Sequence, residues 1–226
     1  GLIKKLLIAN QISPQTDVMF HSIHDLSGVQ LLMTCLLYPI ELYADFSGYT
    51  DIAIGGAYMF GIKLSPNFNR PFAARSTADF WRRWHISLST WFRDYLYIPL
   101  GGNRRGTIRM YVNNIITMLV AGLWHGASWM FVIWGALHGL GLAIHKFFSR
   151  QLHFSFPSTL WGNAISWTLT YVYVCFAWSF FRSQSLTQLG TMYNKITADF
   201  SWAYLSPFVY ARPLWTVCLL RSEEHT

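Results

Sequence analysis

Phe80-Trp81-Arg82-Arg83-Trp84-His85-Ile86-Ser87-Leu88-Ser89-Thr90-Trp91-Phe92-Arg93-Asp94 is the stretch on which the reading of this chain turns. It holds three Trp, three Arg and one His. That mixture is costly in a soluble helix, because indoles want burial while guanidiniums want water or anions. A lipid–water boundary satisfies both. Trp81, Trp84, Leu88, Trp91, Phe92 and Tyr95 recur at three- and four-residue steps, while Arg82, Arg83, Thr90 and Arg93 lie mostly elsewhere around the barrel. The pattern predicts one amphipathic helix in the interface plane, with His85 on its apolar side. After a basic turn, Gly101 to Gly106, an apolar segment carries a second histidine in Leu123-Trp124-His125-Gly126.

The 226 residues are 53% hydrophobic and 18% aromatic but only 12% charged, against ~25% in soluble domains. That reads as a membrane protein, and the fold expected over its segments is all-α and multi-pass transmembrane. Net charge is +7, and the segment from Arg70 to Arg109, with eight Arg against Asp79 and Asp94, carries +6 of it. Charge so localised supplies no general nucleic-acid face, and it assigns this segment to the cytoplasmic side. Cys35, Cys175 and Cys218 are widely spaced in apolar surroundings. They read as structural thiols and support neither a disulfide framework nor a metal site. The chain has no Walker loop, dinucleotide fingerprint, HExxH or GxSxG, which disfavours ATP-driven pumps, dehydrogenases, zinc proteases and serine hydrolases.

A spanning helix needs roughly 20 mostly apolar residues. Val29 to Tyr43 approaches this before Glu41, Asp45, Ser47 and Asp51 intrude, and Ile52 to Ile62 reads as a short or broken helix. Leu64 to Phe72 is a loop by its Pro and Asn content, and Ser76 with Asp79 caps the helix after it. Met110 to Ile144 contains no Asp, Glu, Lys or Arg, enough for two spans hinged near Gly126-Ala127-Ser128. Leu160 to Phe181 reads as a further span, Leu186 to Ile196 as a surface helix, and Trp202 to Leu220 as a span interrupted by Pro207 and Pro213. The chain opens at Gly1 inside an apolar helix, and Arg221 to Thr226 resembles the translation of a sequencing adapter. The expectation is one membrane domain over residues 1–220, with 221–226 a non-native tail.

Ionisable residues within spans are functional candidates, since burying them costs several kcal/mol without a partner or a wet cavity. On the residues alone, His125 reads either as a buried base or as a histidine hydrogen-bonded between packed helices, with Gly122 and Gly126 permitting close approach. His138, between Gly135 and Gly139, carries the same two readings. His85 either orients a reacting group or sits at the interface. Asp45 and Asp51, with Ser47, can fix an imidazole, bind a cation or cap a helix starting near Asp51. Arg82, Arg83 and Arg93, beside Trp84, can grip a phosphate-bearing or acidic donor, or equally anionic lipid headgroups.

Tyr43-Ala44-Asp45-Phe46-Ser47-Gly48-Tyr49-Thr50-Asp51, Asn67-Phe68-Asn69-Arg70-Pro71, the run Phe80 to Asp94, Tyr95 to Arg104 and Gly122-Leu123-Trp124-His125-Gly126-Ala127 together resemble the membrane-bound O-acyltransferase (MBOAT) family. The likeness is greatest to its bacterial alginate O-acetyltransferase membrane-subunit branch. The resemblance implies part of a ring of tilted helices with interfacial helices, in the bacterial inner membrane. It implies His125 as the catalytic histidine and His85 as a second active-site position. Arg82, Arg83, Trp84, Arg93, Asp45, Ser47, Asp51 and His138 then become candidates for binding substrate or donor. Acetyl-CoA or another acyl thioester is the implied donor substrate, with no resident cofactor. The implied partners are the bilayer, an extracytoplasmic acetyltransferase protein and a polysaccharide acceptor. A D-alanine exporter of the same family, or a transporter with an intramembrane His/Asp path, is the alternative.

Overall fold

The computed structural model describes residues 1–201, and every regular element among them is helical. The helices are α1 (Asn10–His21), α2 (Gly28–Met59), α3 (Thr77–Arg83), α4 (Ile86–Phe92), α5 (Thr107–His125), α6 (Trp129–Arg150), α7 (Leu160–Arg182) and α8 (Leu186–Ala198). The span expected over Trp202 to Leu220, the tail 221–226 and Cys218 lie outside the described residues. The described residues divide into two compact units: Gly1–Lys63 together with residues 182–201, and Leu64–Phe181.

In the first unit α2 starts at a capping box, in which Ser27 and Gln30 satisfy each other's orphan groups. It then runs unbroken for 32 residues through Pro39 and Gly48. This corrects the expected interruption at Asp45 to Asp51 and removes the capping role for Asp51. The physical reason is charge pairing across the unit: Asp45 accepts from Lys5, and Asp51 accepts from Lys4 Nζ at 2.9 Å. With their carboxylates paired, neither residue needs a break in the helix. At the other end of α2, Gly28 N–H donates to Asp199 O at 2.9 Å, and Lys195 Nζ donates to His24 O at 2.6 Å, so α8 docks on the N-terminal turn.

The second unit is built on an α5–α6 hairpin. The two helices hinge where the composition predicts, at Gly126, and Ser128 restarts the chain by accepting from Met130 N–H at 3.2 Å; of the pair, α6 is long and apolar enough to cross a bilayer. The helices touch backbone to backbone. A Cβ on Gly122 would lie 2.2 Å from Phe131 O, and one on Gly135 would lie 2.2 Å from Met118 O. Small residues at such contacts let helices pack in lipid, where no hydrophobic force draws them together.

Helices α6 and α7, with 22 and 23 residues, are long and apolar enough to cross a bilayer. On α7 the exposed face is Trp161, Ile165, Leu169, Val172 and Phe176, while Gly162, Ser166, Thr170 and Ser179 are buried. The buried face also holds Val174, Cys175 and Trp178, so large apolar side chains are found on both sides, as in a helix whose outer face meets an apolar medium.

Because any Cβ at position 122 must push α5 off α6, Gly122→Ala is expected to lower stability by about 1–3 kcal/mol. A detergent-solubilised melt that matched wild type would contradict that close contact.

Candidate active site

The helix expected over Phe80 to Asp94 is two helices. α3 ends at Arg83, Trp84 turns extended, and His85 takes a left-handed backbone with φ 43° and ψ 57° before α4 begins. That conformation costs a non-glycine residue of order 1–3 kcal/mol and persists only where surroundings impose it. The Asn-rich loop imposes it here. Ile86 N–H donates to Asn67 O at 2.9 Å, Ser87 N–H and Oγ reach Asn67 Oδ1 at 3.1 and 2.9 Å, and Asn69 N–H donates to Arg83 O at 2.9 Å. Trp84 is driven inward, edge-on to Trp178 with ring centroids 4.5 Å apart and stacked on Phe80 at 5.7 Å. Trp91 stays about half exposed, 53%, so the predicted single apolar stripe is divided between two directions.

His125 is the last residue of α5, a consequence of the Gly126 hinge. Its ring lies edge-on to Trp134 at 5.2 Å and Phe181 at 5.0 Å, with Phe131 at 6.3 Å. His85 is near enough to feel its charge. Burial first, and then the proximity of His125, push the His85 imidazole down from 6.5 to about 4. His85 is therefore neutral near pH 7, with one ring nitrogen donating and the other accepting.

His138 is fully buried, at 0% exposure. It stacks on Phe80 at 6.3 Å and meets Trp81 at 5.1 Å, Trp134 at 4.9 Å and Tyr173 at 6.3 Å. Among the described residues neither His138 ring nitrogen finds a hydrogen-bond partner, nor do the indole N–H groups of Trp81 and Trp134. Although His125 and His138 belong to different helices, the hinge folds both against one ring, that of Trp134.

Next to this cluster lies a cavity of about 850 Å³ bounded by α3, the latter half of α6, the 154–158 loop and α7, within the range of small-molecule sites. Arg75, Arg82, Arg83 and His145 give it a basic wall, and Phe148, Phe154 and Phe156 an apolar one. The predicted cap of α3 is present, with Ser76 Oγ accepting from Asp79 N–H at 3.1 Å. Burial alone raises the Asp79 carboxyl. Hydrogen bonds from Arg83 at 3.0 Å, the Arg75 backbone at 3.4 Å and Arg82 at 3.3 Å outweigh it, and the net direction is down. Arg83 is thus partly a structural anchor, whereas Arg82 is 73% exposed and available to a ligand.

Arg93 lies outside this cavity lining and grips its neighbour Asp94 at 2.7 and 3.2 Å. Asp45, Ser47 and Asp51 belong to the other unit, where lysines hold the two carboxylates and Ser47 is buried. Among the described residues no group of three His, Cys, Asp or Glu is arranged to hold a metal ion. Sequence reasoning missed the 154–158 loop, Tyr173 and Trp134 as site residues. The only signal was the Phe154-Ser155-Phe156 alternation, too short to separate from any loop.

The fold and site define a helical membrane protein with clustered imidazoles beside a basic cavity. Residues 7–187 match the membrane-bound O-acyltransferase (MBOAT) family, and the chain belongs to it. It is 47% identical over 189 residues to the peptidoglycan O-acetyltransferase of Helicobacter pylori, covering 82% of this chain and 35% of that protein. It is 44% identical over 202 residues to the Azotobacter vinelandii protein named "Probable alginate O-acetylase AlgI", covering 89% and 39%. Against the teichoic acid D-alanyltransferase of Bacillus subtilis it is 35% identical over 156 residues, covering 65% and 40%. The chain thus spans well under half the length of these relatives.

A histidine held below its ordinary value works against the fold in acid. Below about pH 6.5 the unfolded chain takes up the proton first, so the His85 contribution to stability falls with pH and is spent by about pH 4. Melting profiles of wild type and His85→Gln are expected to differ progressively across that window. Parallel profiles would show that His85 titrates normally.

Proposed function

We propose that the protein is a membrane O-acyltransferase that moves an acyl group, acetyl by preference, from a thioester to a hydroxyl of a polysaccharide. The observation carrying this reading is His125, packed against Trp134 and Phe181 with the neutral His85 near enough to feel its charge, in a chain of the MBOAT family. His125 takes the proton of the acceptor hydroxyl as the oxygen bonds to the carbonyl carbon. The C–S bond then breaks, and the proton ends on sulfur. Such proton transfer contributes about 10²–10⁴-fold. Neutral His85 donates a hydrogen bond to the oxygen on which charge develops. Arg82 and Arg83 bind donor phosphates, with the phenylalanines of the cavity covering the donor's apolar arm.

The names of the relatives support glycan acceptors in general, alginate or peptidoglycan. They also keep a D-alanyl transfer to teichoic acid as the second reading. We assign the protein to the bacterial inner membrane as a multi-pass chain with part of a helical ring and its arginine segment cytoplasmic. An extracytoplasmic acetyltransferase protein is its partner in delivering the group to the polysaccharide. Nucleic acid has no part in this reading. The carboxylates of Asp45 and Asp51, paired to lysines, weaken the transporter path.

The test is transfer of labelled acetyl from acetyl-CoA into extracellular polysaccharide by cells carrying the complete gene product. His125→Ala is expected to lose at least about 10²-fold while still accumulating in the membrane, and equal labelling would reject the reading. Arg82→Ala is expected to raise KM for acetyl-CoA about tenfold with kcat nearly unchanged, the loss of one charge-assisted contact. An unaltered KM would move the donor elsewhere.

A further inference from the structure

Lys146 and Arg150 are cations without an acid. They stand four residues apart at the end of α6, the spacing at which like charges face each other and repel. The unit that carries them, Leu64–Phe181, holds nine Arg and one Lys but only two carboxylates, Asp79 and Asp94. Arg82 and Arg83 take the first and Arg93 the second, and among the described residues neither Lys146 nor Arg150 forms an ion pair. The partners of the two are neutral. Lys146 Nζ donates to Asn114 Oδ1 at 3.0 Å and to the Tyr97 hydroxyl at 3.3 Å, and lies 5.1 Å from the centroid of the Tyr97 ring. Arg150 is exposed and reaches Met110 Sδ at 3.4 Å. The cavity takes Gly141, Ile144, His145, Phe148 and Ser149 from α6, and neither cation. The pair therefore occupies the other flank of the helix, toward α5, where a donor bound in the cavity does not neutralise it.

We propose that Lys146 and Arg150 bind the phosphate of an anionic glycerophospholipid where α6 leaves the bilayer. Two observations select a lipid over a soluble anion. First, α6 is long and apolar enough to cross a membrane, and the pair occupies its final five residues. Second, each contact around the pair is followed in the chain by an exposed apolar side chain: Phe147 after Lys146, Ile98 after Tyr97, and Ile108 after Thr107, whose hydroxyl meets Gln151 at 3.5 Å. Those side chains suit glycerol and acyl chains rather than a hydrated ion. Arg104, Arg105 and Arg109 are also exposed and add to the positive field, as juxtamembrane basic clusters do toward an anionic leaflet. The guanidinium offers a fork of donors to phosphate oxygens and the ammonium a point charge. Because Lys146 also holds Tyr97 and Asn114, a phosphate fixed here braces the turn after Tyr97 against the α5–α6 hairpin. The assignment needs the membrane placement of the family, not the transfer reaction.

The test is the melting temperature of the complete gene product, purified in a neutral detergent, as dioleoylphosphatidylglycerol, dioleoylphosphatidylcholine, inorganic phosphate or poly-L-glutamate is added. Phosphatidylglycerol is expected to raise it saturably in wild type and the other three to leave it unchanged. Arg150→Gln and Lys146→Gln are each expected to weaken the apparent affinity for phosphatidylglycerol about fivefold, the loss of one basic charge at a bilayer surface. Without lipid the sign reverses for Arg150→Gln, which relieves a like-charge contact and is expected to melt at or above wild type. An arginine serving only the fold would lower the melting temperature with and without lipid, and that outcome overturns the proposal. Arg93→Gln removes a cation already paired with Asp94 and is expected to keep the wild-type response. An equal loss there would show a response to total charge rather than to this pair. No shift with phosphatidylglycerol, or an equal shift with inorganic phosphate, rejects a lipid site, and a shift with poly-L-glutamate alone gives the pair to an acidic protein surface. None of these readings uses acyl transfer, so failure of the transferase reading leaves them intact.

Discussion

The contact between Gly122 on α5 and Gly135 on α6 is the constraint on which the second unit depends. With no side chain at either position the two backbones meet, and the turn between them can be as short as Gly126 to Ser128. That brings the end of one helix against the start of the next. His125 consequently lies on Trp134, one turn before His138, though the two histidines are 13 positions apart in sequence. Had the helices been spaced by ordinary side chains, His125 would face a gap rather than an aromatic wall.

Around that hairpin the energetics trade strain for position. His85 carries a left-handed backbone, and the cost is met by bonds from the Asn67 and Asn69 loop and by burial of Trp84 against Trp178. These interactions are individually modest. Together they oblige α3 to stop and α4 to restart in a different direction. The strained residue is also the one beside His125, in keeping with strain collecting where a particular side-chain direction is required.

The basic cavity shows how one residue type serves two ends. Arg83 binds back to Asp79 and to the Asn69 carbonyl, at 3.0 and 3.4 Å, and so ties α3 to its loop. Arg82 shares the same carboxylate but keeps its guanidinium largely in the open. A count of positive charges treats the two alike, and their partners separate them. The same distinction divides the histidines: His145 lines the cavity, His138 is sealed from it, and His125 is enclosed on the side of Trp134 and Phe181.

Much of this was legible in the residues. The charge-free run from Met110 to Ile144 with small residues at its middle specified two helices and their hinge, because a 20-residue apolar helix is nearly the only way to satisfy a backbone in lipid. Ser76 with Asp79 marked the start of α3, and the Phe80 to Asp94 and Trp-His-Gly segments pointed to the family. The remainder waited for tertiary structure. A single positive φ at His85 leaves no trace in a three-and-four periodicity, so two helices read as one. Lys4 and Lys5 lie more than 35 residues from the aspartates they hold, so α2 read as broken where it is continuous. The isolation of His138 from any partner among the described residues depends on four rings drawn from three helices. Local pattern determines which segments are helical. Which polar atoms end up paired is settled by contacts distant in sequence.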